Sequence, residues 1–316
     1  MYIVAPGTGR LDEALTNLAV AIRNNEMIAD ILAPRVGAAR KTDKYWVFGK
    51  EWRTTQYNDK RATGAPAERT RFAMSTDSYS LDSHALASDI AAEDAAEYSL
   101  GNLAQESVEF NTSLILLKRE IELAGMLTDT AQVTQNTTLT GSNQWSDFAG
   151  SKPGVDVEAG KAALIKNGLL PLPNVLAMGY EVYQQLVNNP AIRRAVVVSD
   201  QKVVGRALNA SDLAMYFGVP RVVVGAAVKG ETSPSFVWGK HAILAHVEES
   251  ASRKDASLAK TFVWTNSEFT GGNGFAVRRG PHSDVTAVSE TVGVDFYYDQ
   301  KITAVEGGYL IKDAVA

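Results

Sequence analysis

The chain reads as an α+β protein. One long amphipathic stretch with helical spacing lies in its first half, and apolar runs of strand length crowd its last third. The two patterns interleave without the regular beat of parallel βαβ repeats. No segment repeats another.

The long stretch organises the rest. From Leu103 the large apolar residues fall at Leu103, Phe110, Leu114, Leu117, Ile121 and Ala124, in steps of seven, four, three, four and three that hold one helical face. Gln105, Glu106, Glu109, Lys118, Arg119, Glu120 and Glu122 fall largely on the other face. Ser99 as N-cap, and Gly125 with Thr128-Asp129 as a stop, predict a helix over 100–127. At 1.5 Å per residue that is about 42 Å. Such a helix is either a coiled-coil strand or a spine across a sheet, and the lack of a heptad upstream of Leu103 favours the spine.

Before the spine, Leu11, Leu15, Leu18 and Ile22 mark a short amphipathic helix broken at Asn24-Asn25. Residues 27–36 form an apolar run closed by Pro34, an extended arm that must bury itself against something. Residues 44–79 make a two-limbed excursion. Tyr45-Trp46-Val47-Phe48 is strand-like, Thr54 to Tyr57 continues it, Asn58 to Pro66 turns, and 69–79 returns. A lone ribbon is marginal in water, so this is either a loose surface loop or an arm lying on a neighbouring subunit. Its basic residues Lys50, Arg53, Lys60, Arg61, Arg69 and Arg71 outnumber the acids Glu51, Asp59 and Glu68.

After the spine, the polar stretch 131–154 is a long loop anchored by Trp145 and Phe148. Helices are then expected over 159–167, 180–187 (stopped by Asn188-Asn189-Pro190) and 211–216. Strands are expected over 174–178, 221–224, 236–247, 260–266 and 275–279, and a β-rich return over 285–311.

Composition excludes several functions. With 316 residues and 45% hydrophobic side chains the chain is ordinary globular protein, and 31 basic against 36 acidic residues leave a net charge of -5. That balance argues against a protein built to grip nucleic acid. There is no cysteine, hence no disulfide, thiolate metal site or cysteine nucleophile. The first ten residues lack the pattern of a signal peptide, and no window approaches a membrane-spanning apolar run.

No phosphate-binding loop, HExxH or GxSxG occurs, and Gly271-Gly272-Asn273-Gly274 opens no helix. His84, His241, His246 and His282 are scattered, the middle pair on opposite faces of an expected strand. Asp89, Glu93 and Glu97 share a face if helical, which serves either a cation or catalytic pair or, more commonly, a solvated surface. No cofactor, metal or enzymatic chemistry is expected.

Six segments then occur in one order: 28–36 (Ile-Ala-Asp-Ile-Leu-Ala-Pro-Arg-Val) with Tyr45-Trp46-Val47-Phe48; Tyr79-Ser80-Leu81 through Ile90-Ala91-Ala92-Glu93-Asp94; Trp145-Ser146-Asp147 through Pro153-Gly154-Val155-Asp156-Val157; Asn174 through Tyr183; Phe296-Tyr297-Tyr298-Asp299-Gln300-Lys301-Ile302; and Gly307-Gly308-Tyr309-Leu310-Ile311-Lys312. Together they resemble the major capsid proteins of tailed bacteriophages, the family of the Hong Kong 97 phage fold.

The resemblance implies an N-terminal arm (1–43), an extended β-hairpin loop (44–80), a peripheral domain with the spine helix (81–172), an axial domain (173–284) and C-terminal strands returning to the peripheral domain (285–316). It implies self-assembly as hexamers and pentamers into an icosahedral shell around double-stranded DNA, formed in the host bacterial cytoplasm, with a portal and room for decoration proteins. An encapsulin-like nanocompartment is the alternative within the same fold, and an enzyme on the acidic face the distant one. Because the arm begins within about ten residues of Met1, a separate scaffolding protein is expected rather than a cleaved leader. Lys50 and Lys60 lie where some members cross-link, but no partner asparagine can be placed. In that arrangement Trp52, Arg53, Lys60, Arg61, Arg69 and Arg71 contact the next subunit, with Glu93, Asp94 and Glu97 as acceptors, while Leu103, Phe110, Leu114, Leu117 and Ile121 form the spine's core face.

Overall fold

Two sheets and one long helix between them set the architecture. A computed structural model describes residues 10–22, 26–47, 59–67, 69, 75–99, 101–166, 172–199, 206–249, 252–266, 268–281 and 289–316.

In chain order, β1 (Arg10–Leu11) leads to α1 (Glu13–Ala21), α2 (Ala29–Leu32), β2 (Arg35–Ala38) and the hairpin strands β3 (Thr42–Val47) and β4 (Ser75–Ser80). Then come β5 (Asp82–Ala91), α3 (Ala92–Glu97), the spine α4 (Leu103–Leu127), β6 (Asn136–Thr138) and α5 (Pro153–Lys166). Next are β7 (Val175–Gly179), α6 (Tyr180–Asn188), α7 (Pro190–Ser199), α8 (Ala210–Phe217), β8 (Arg221–Gly225), β9 (Val228–Lys229) and β10 (Ser235–Phe236). The chain closes with β11 (Ala242–Ala245), β12 (Ala259–Trp264), β13 (Phe275–Pro281), β14 (Ser289–Ile302) and β15 (Gly308–Lys312).

The first sheet is built on β14. Tyr298 pairs with both Asp82 and Val263, so β5 runs along one edge of β14 while β12 lies on the other. β13 also pairs β14, β1 pairs β13, and β2 lies parallel to β12. The second sheet has the order β6-β15-β11-β7-β8.

These pairings cut across the boundaries expected at 172/173 and 284/285. β12 and β13 join the sheet of β5 and β14, whereas β6 and the terminal β15 join that of β7 and β11. Pairing partners far apart in sequence decide which sheet a strand enters, and local pattern carries no record of them.

The spine spans both sheets. Its first half packs Ala104, Val108, Ile115 and Leu116 onto Phe275, Val277, Val292, Val294 and Phe296, with Leu15 and Ala19 of α1 alongside. Its second half packs Leu123, Ala124 and Leu127 with Ile28, Ala29 and Leu32 against Val175, Ala177, Ile243 and Ala245. The alternate residues Leu176, Met178 and Leu244 face the opposite way, into a core with α5 to α8.

Several expectations need correction. The spine starts at Leu103, not 100, because the Asn102 side chain accepts from Ala104 N at 3.0 Å and supplies the cap that Ser99 was expected to give. Its core face is only partly the expected one: Leu117 and Ile121 pack at the margin of the second core, but Phe110 and Leu114 do not. Phe110 is 63% exposed and Leu114 40%, and Leu103, Leu117 and Ile121 are half-buried, while the buried stripe runs through Ala104, Val108, Asn111, Thr112, Ile115, Leu116, Arg119, Glu120 and Leu123. Following the bulkiest side chains picked a face offset from the buried one, where small and charged residues are enclosed.

The segment 27–36 is buried as expected but is not wholly extended: Ala29–Leu32 form α2, and Ile28, Ala29, Leu32 and Ala33 lie in the subunit's own core. Asp89 does not share a helix with Glu93 and Glu97. It stands on β5 opposite Thr291, whose hydroxyl donates to its Oδ1 at 2.6 Å, because the ten-residue ladder with β14 outweighs local helical spacing. Pro190 opens α7 as well as ending α6, as suits a residue with no N–H to satisfy in a first turn. Trp145 is the expected buried anchor, its Nε1 donating to Asp156 Oδ2 at 2.9 Å, but Phe148 is 39% exposed.

Candidate functional site

Three features distinguish this subunit: a projecting hairpin, an acidic corner at the head of the spine, and a buried polar knot at its middle.

The hairpin strands pair from Thr42↔Ser80 to Val47↔Ser75. They are anchored mainly through Tyr45 and Tyr79, with Val47 packed at the margin of the same cluster. Tyr45 and Tyr79 bury their rings on Phe262 of β12, with centroids 5.2 and 4.5 Å away, and Ser80 N donates to Asp299 Oδ2 at 2.9 Å. Towards the other end, Thr76, Asp77 and Ser78 are exposed. Of the residues expected to reach a neighbour, Lys60, Arg61 and Arg69 are exposed, Arg61 Nη1 reaching Ala65 O at 3.4 Å. Trp52, Arg53 and Arg71, and Lys50 with them, lie outside the described residues.

The expected acceptors sit on α3, a six-residue helix with no buried residue. Asp94 and Glu97 line a recess of about 470 Å³ with Asp89, Tyr98 and Leu103, and Glu93 is exposed on the same helix. Tyr98 donates its hydroxyl to Glu106 at 2.6 Å, adding another carboxylate to this corner and pushing the phenol's pKa up. Phe110 and Leu114 continue the exposed spine face beyond it.

The knot was not foreseen. Glu120 Oε1 accepts from Ile28 N at 2.8 Å and from Trp238 Nε1 at 2.6 Å, and its Oε2 accepts from Ala29 N at 2.7 Å. One carboxylate thus caps α2 and ties it to the spine and to the β10–β11 connection. Burial raises the Glu120 carboxyl, and these donors offset only part of that rise. Gly225 makes room for the ring, since a Cβ there would stand 2.1 Å from Trp238 Cδ1.

One residue earlier on the spine, Arg119 Nη2 meets Asp30 Oδ1 at 2.9 Å, and Arg35 forks onto the same carboxylate at 2.8 and 2.9 Å. Burial alone would raise Asp30, but the two guanidiniums outweigh it and hold the carboxyl below its ordinary value. Burial likewise lowers Arg119, whose side chain is 3% exposed. A signal for the knot existed in the sequence: Arg119-Glu120 interrupts the stripe Val108, Ile115, Leu116, Leu123, Leu127. Charges set in a buried face are paired or hydrogen-bonded.

No catalytic constellation emerges among the described residues. His241 and His246 flank β11 rather than sharing a site. Asp313 N donates to His241 Nδ1 at 3.1 Å, and His246 contacts Leu172 O and Glu248. His84 stacks on Tyr298, and His282 lies outside the described residues. No group of three or more acidic or histidine side chains among the described residues is placed to hold a metal, and no described helix is long and apolar enough to cross a membrane.

No protein-family profile matches the chain. The major capsid protein of Burkholderia phage BcepMu is 30% identical over 245 residues, covering 75% of this chain and 76% of that one. The major capsid protein of Pseudomonas phage JBD67 is 26% identical over 265 residues, covering 80% and 83%. A phage-related protein of Bordetella bronchiseptica RB50 superposes with a TM-score of 0.74 at 26% identity, over 97% of this chain and 98% of its own. At 12% identity, an encapsulin of Synechococcus elongatus shares the fold with a TM-score of 0.55, over 96% and 95% of the two chains. Sequence and fold thus agree: the chain belongs to the family of phage major capsid proteins, with the Hong Kong 97 fold.

Proposed function

We propose that copies of this subunit close into hexamers and pentamers that tile an icosahedral shell around double-stranded DNA, and that the basic hairpin of one copy clamps the acidic corner of the next. The observation that carries the clamp is the pairing of opposites on one subunit. Lys60, Arg61 and Arg69 are exposed in the segment between β3 and β4, while Glu93, Asp94 and Glu97 stand exposed on α3. Their charges are complementary, and each contact, repeated round a closed symmetry, adds to a collective stability that no single pair supplies.

In this reading the sheet built on β14, with the first half of the spine, is the peripheral domain. The β7–β11 sheet with α5 to α8 is the axial domain. The subunit has no catalytic role. Its net charge of -5 keeps it from condensing on packaged DNA while it lines the shell. Assembly takes place in the bacterial cytoplasm, aided by a scaffolding protein and a portal, with decoration proteins as further candidates.

The test is negative-stain microscopy of the expressed chain, alone and with its scaffolding partner, followed by nuclease treatment of material from infected cells. Closed shells holding nuclease-protected DNA are expected. Shells enclosing protein cargo without DNA would support a nanocompartment, and a monomer that never assembles would contradict both.

A further inference from the structure

The hairpin leaves the subunit beside a tight turn at residues 252–255, which carries two cations against the hairpin base. Arg253 Nη1 binds Asp43 Oδ2 of β3 at 2.7 Å, and its guanidinium lies 5.4 Å over the Tyr79 ring of β4. Lys254 Nζ lies 5.4 Å over the ring of Trp46. One turn thus touches both strands, at two levels of the ribbon: the Asp43–Tyr79 pair and, three residues further along β3, Trp46.

The turn is fixed from within. Asp255 Oδ2 accepts from Ser252 N at 2.6 Å, and Ser252 Oγ accepts from Lys254 N at 3.1 Å. From beneath, the 1%-exposed Lys260 of β12 donates its ammonium to Ser252 O at 2.5 Å and to Asp255 O. Two residues along β12, on the same face, Phe262 is the surface on which Tyr45 and Tyr79 rest.

We propose that this turn, closed by Lys260, is an elbow that sets the direction in which the hairpin leaves the subunit and so its reach to the neighbouring copy. The inference rests on the hairpin being the intersubunit clamp. Lys260 is a positioning residue. It touches nothing on the hairpin and acts through the carbonyls that hold Arg253 and Lys254 in place. Without the elbow the stacked tyrosines still root the ribbon, but nothing fixes its swing. The ion pair and two cation–π contacts together restrict the alternative directions by about tenfold.

The chain has no cysteine, so two spin labels, at Ser75→Cys on β4 and Gln105→Cys on the exposed side of α4, report the hairpin's direction by pulsed electron resonance in the full unassembled subunit. The parent is expected to give one narrow distance. Arg253→Ala and Lys260→Met are expected to broaden it, with the displaced population rising about tenfold, and to lose shell formation. Exchanging the charges, Asp43→Arg with Arg253→Asp, is expected to restore both in part, since the ion pair returns while the Tyr79 contact does not, which a merely structural role would not give. If Lys260→Met fails to fold, Arg253→Ala at its half-buried position decides. An unchanged distance distribution in Arg253→Ala overturns the elbow. A broadened distribution with parental shell yield leaves the elbow standing and overturns the clamp instead.

Discussion

The spine and the hairpin are held by opposite means. The spine is enclosed on its sheet side by two cores, and even its charged residues Arg119 and Glu120 are buried and bonded. The hairpin is rooted by two tyrosines and a turn, and Ser75 to Ser78 on its return strand are exposed. Burial answers to the subunit's own folding, whereas exposure of an ordered, charged ribbon answers to something outside it. Damage to the spine should therefore appear in the melt of the single subunit, and damage to the hairpin only in assembly.

The largest effect is expected at the knot. Glu120→Ala leaves Ile28 N, Ala29 N and Trp238 Nε1 without their acceptor inside the protein. It should cost about 3–5 kcal/mol in denaturant unfolding. A loss below about 1 kcal/mol would mean that water replaces the carboxylate and that the knot is ornamental.

Next come the leucines. Leu123→Ala and Leu116→Ala on the enclosed stripe should each cost about 2–5 kcal/mol. Leu114→Ala, at 40% exposure, should stay within about 0.5 kcal/mol and affect shell yield instead. Equal losses at 114 and 123 would erase the distinction between the two faces of the spine.

The leucines also bear on what the sequence could disclose. The length of the spine, its C-terminal end and the hairpin limbs were legible, because helical spacing and turn residues are local signals. The buried face was not, because Phe110 and Leu114 are bulkier than Ala104 and Thr112, and bulk alone does not say which face meets a sheet. Nor was the role of 27–36, which depends on a carboxylate some ninety positions away. The four-residue spacing of Asp89, Glu93 and Glu97 does not disclose that Asp89 stands on a strand, paired across to Thr291. The elbow depends on a turn and a buried lysine whose meeting with the hairpin only the fold creates.

A smaller effect is expected from pH. The Asp30 carboxyl is held below its ordinary value of 3.8 in the folded state, so its contribution is complete above 3.8 and is lost as pH falls through the lower folded value. Asp30→Asn should therefore lower stability at neutral pH but flatten its decline in strong acid, measured by melts across that range. Glu120, raised by burial, acts in the opposite sense, its cost being relieved on acidification. An acid limb unchanged in Asp30→Asn would assign the acid sensitivity to other carboxylates.

The smallest effect on the subunit, and the one that bears most on how copies meet, belongs to the hairpin. The most direct measurement compares parent and Arg61→Glu/Arg69→Glu, taking the thermal melt of the subunit and the shell yield by light scattering and negative stain over a range of salt. The expected result is a melting temperature like the parent's with shell formation weakened or abolished, most visibly at low salt, where the reversed charges are least screened. If the double variant assembles as well as the parent across the whole range, the hairpin is not a clamp held by charge.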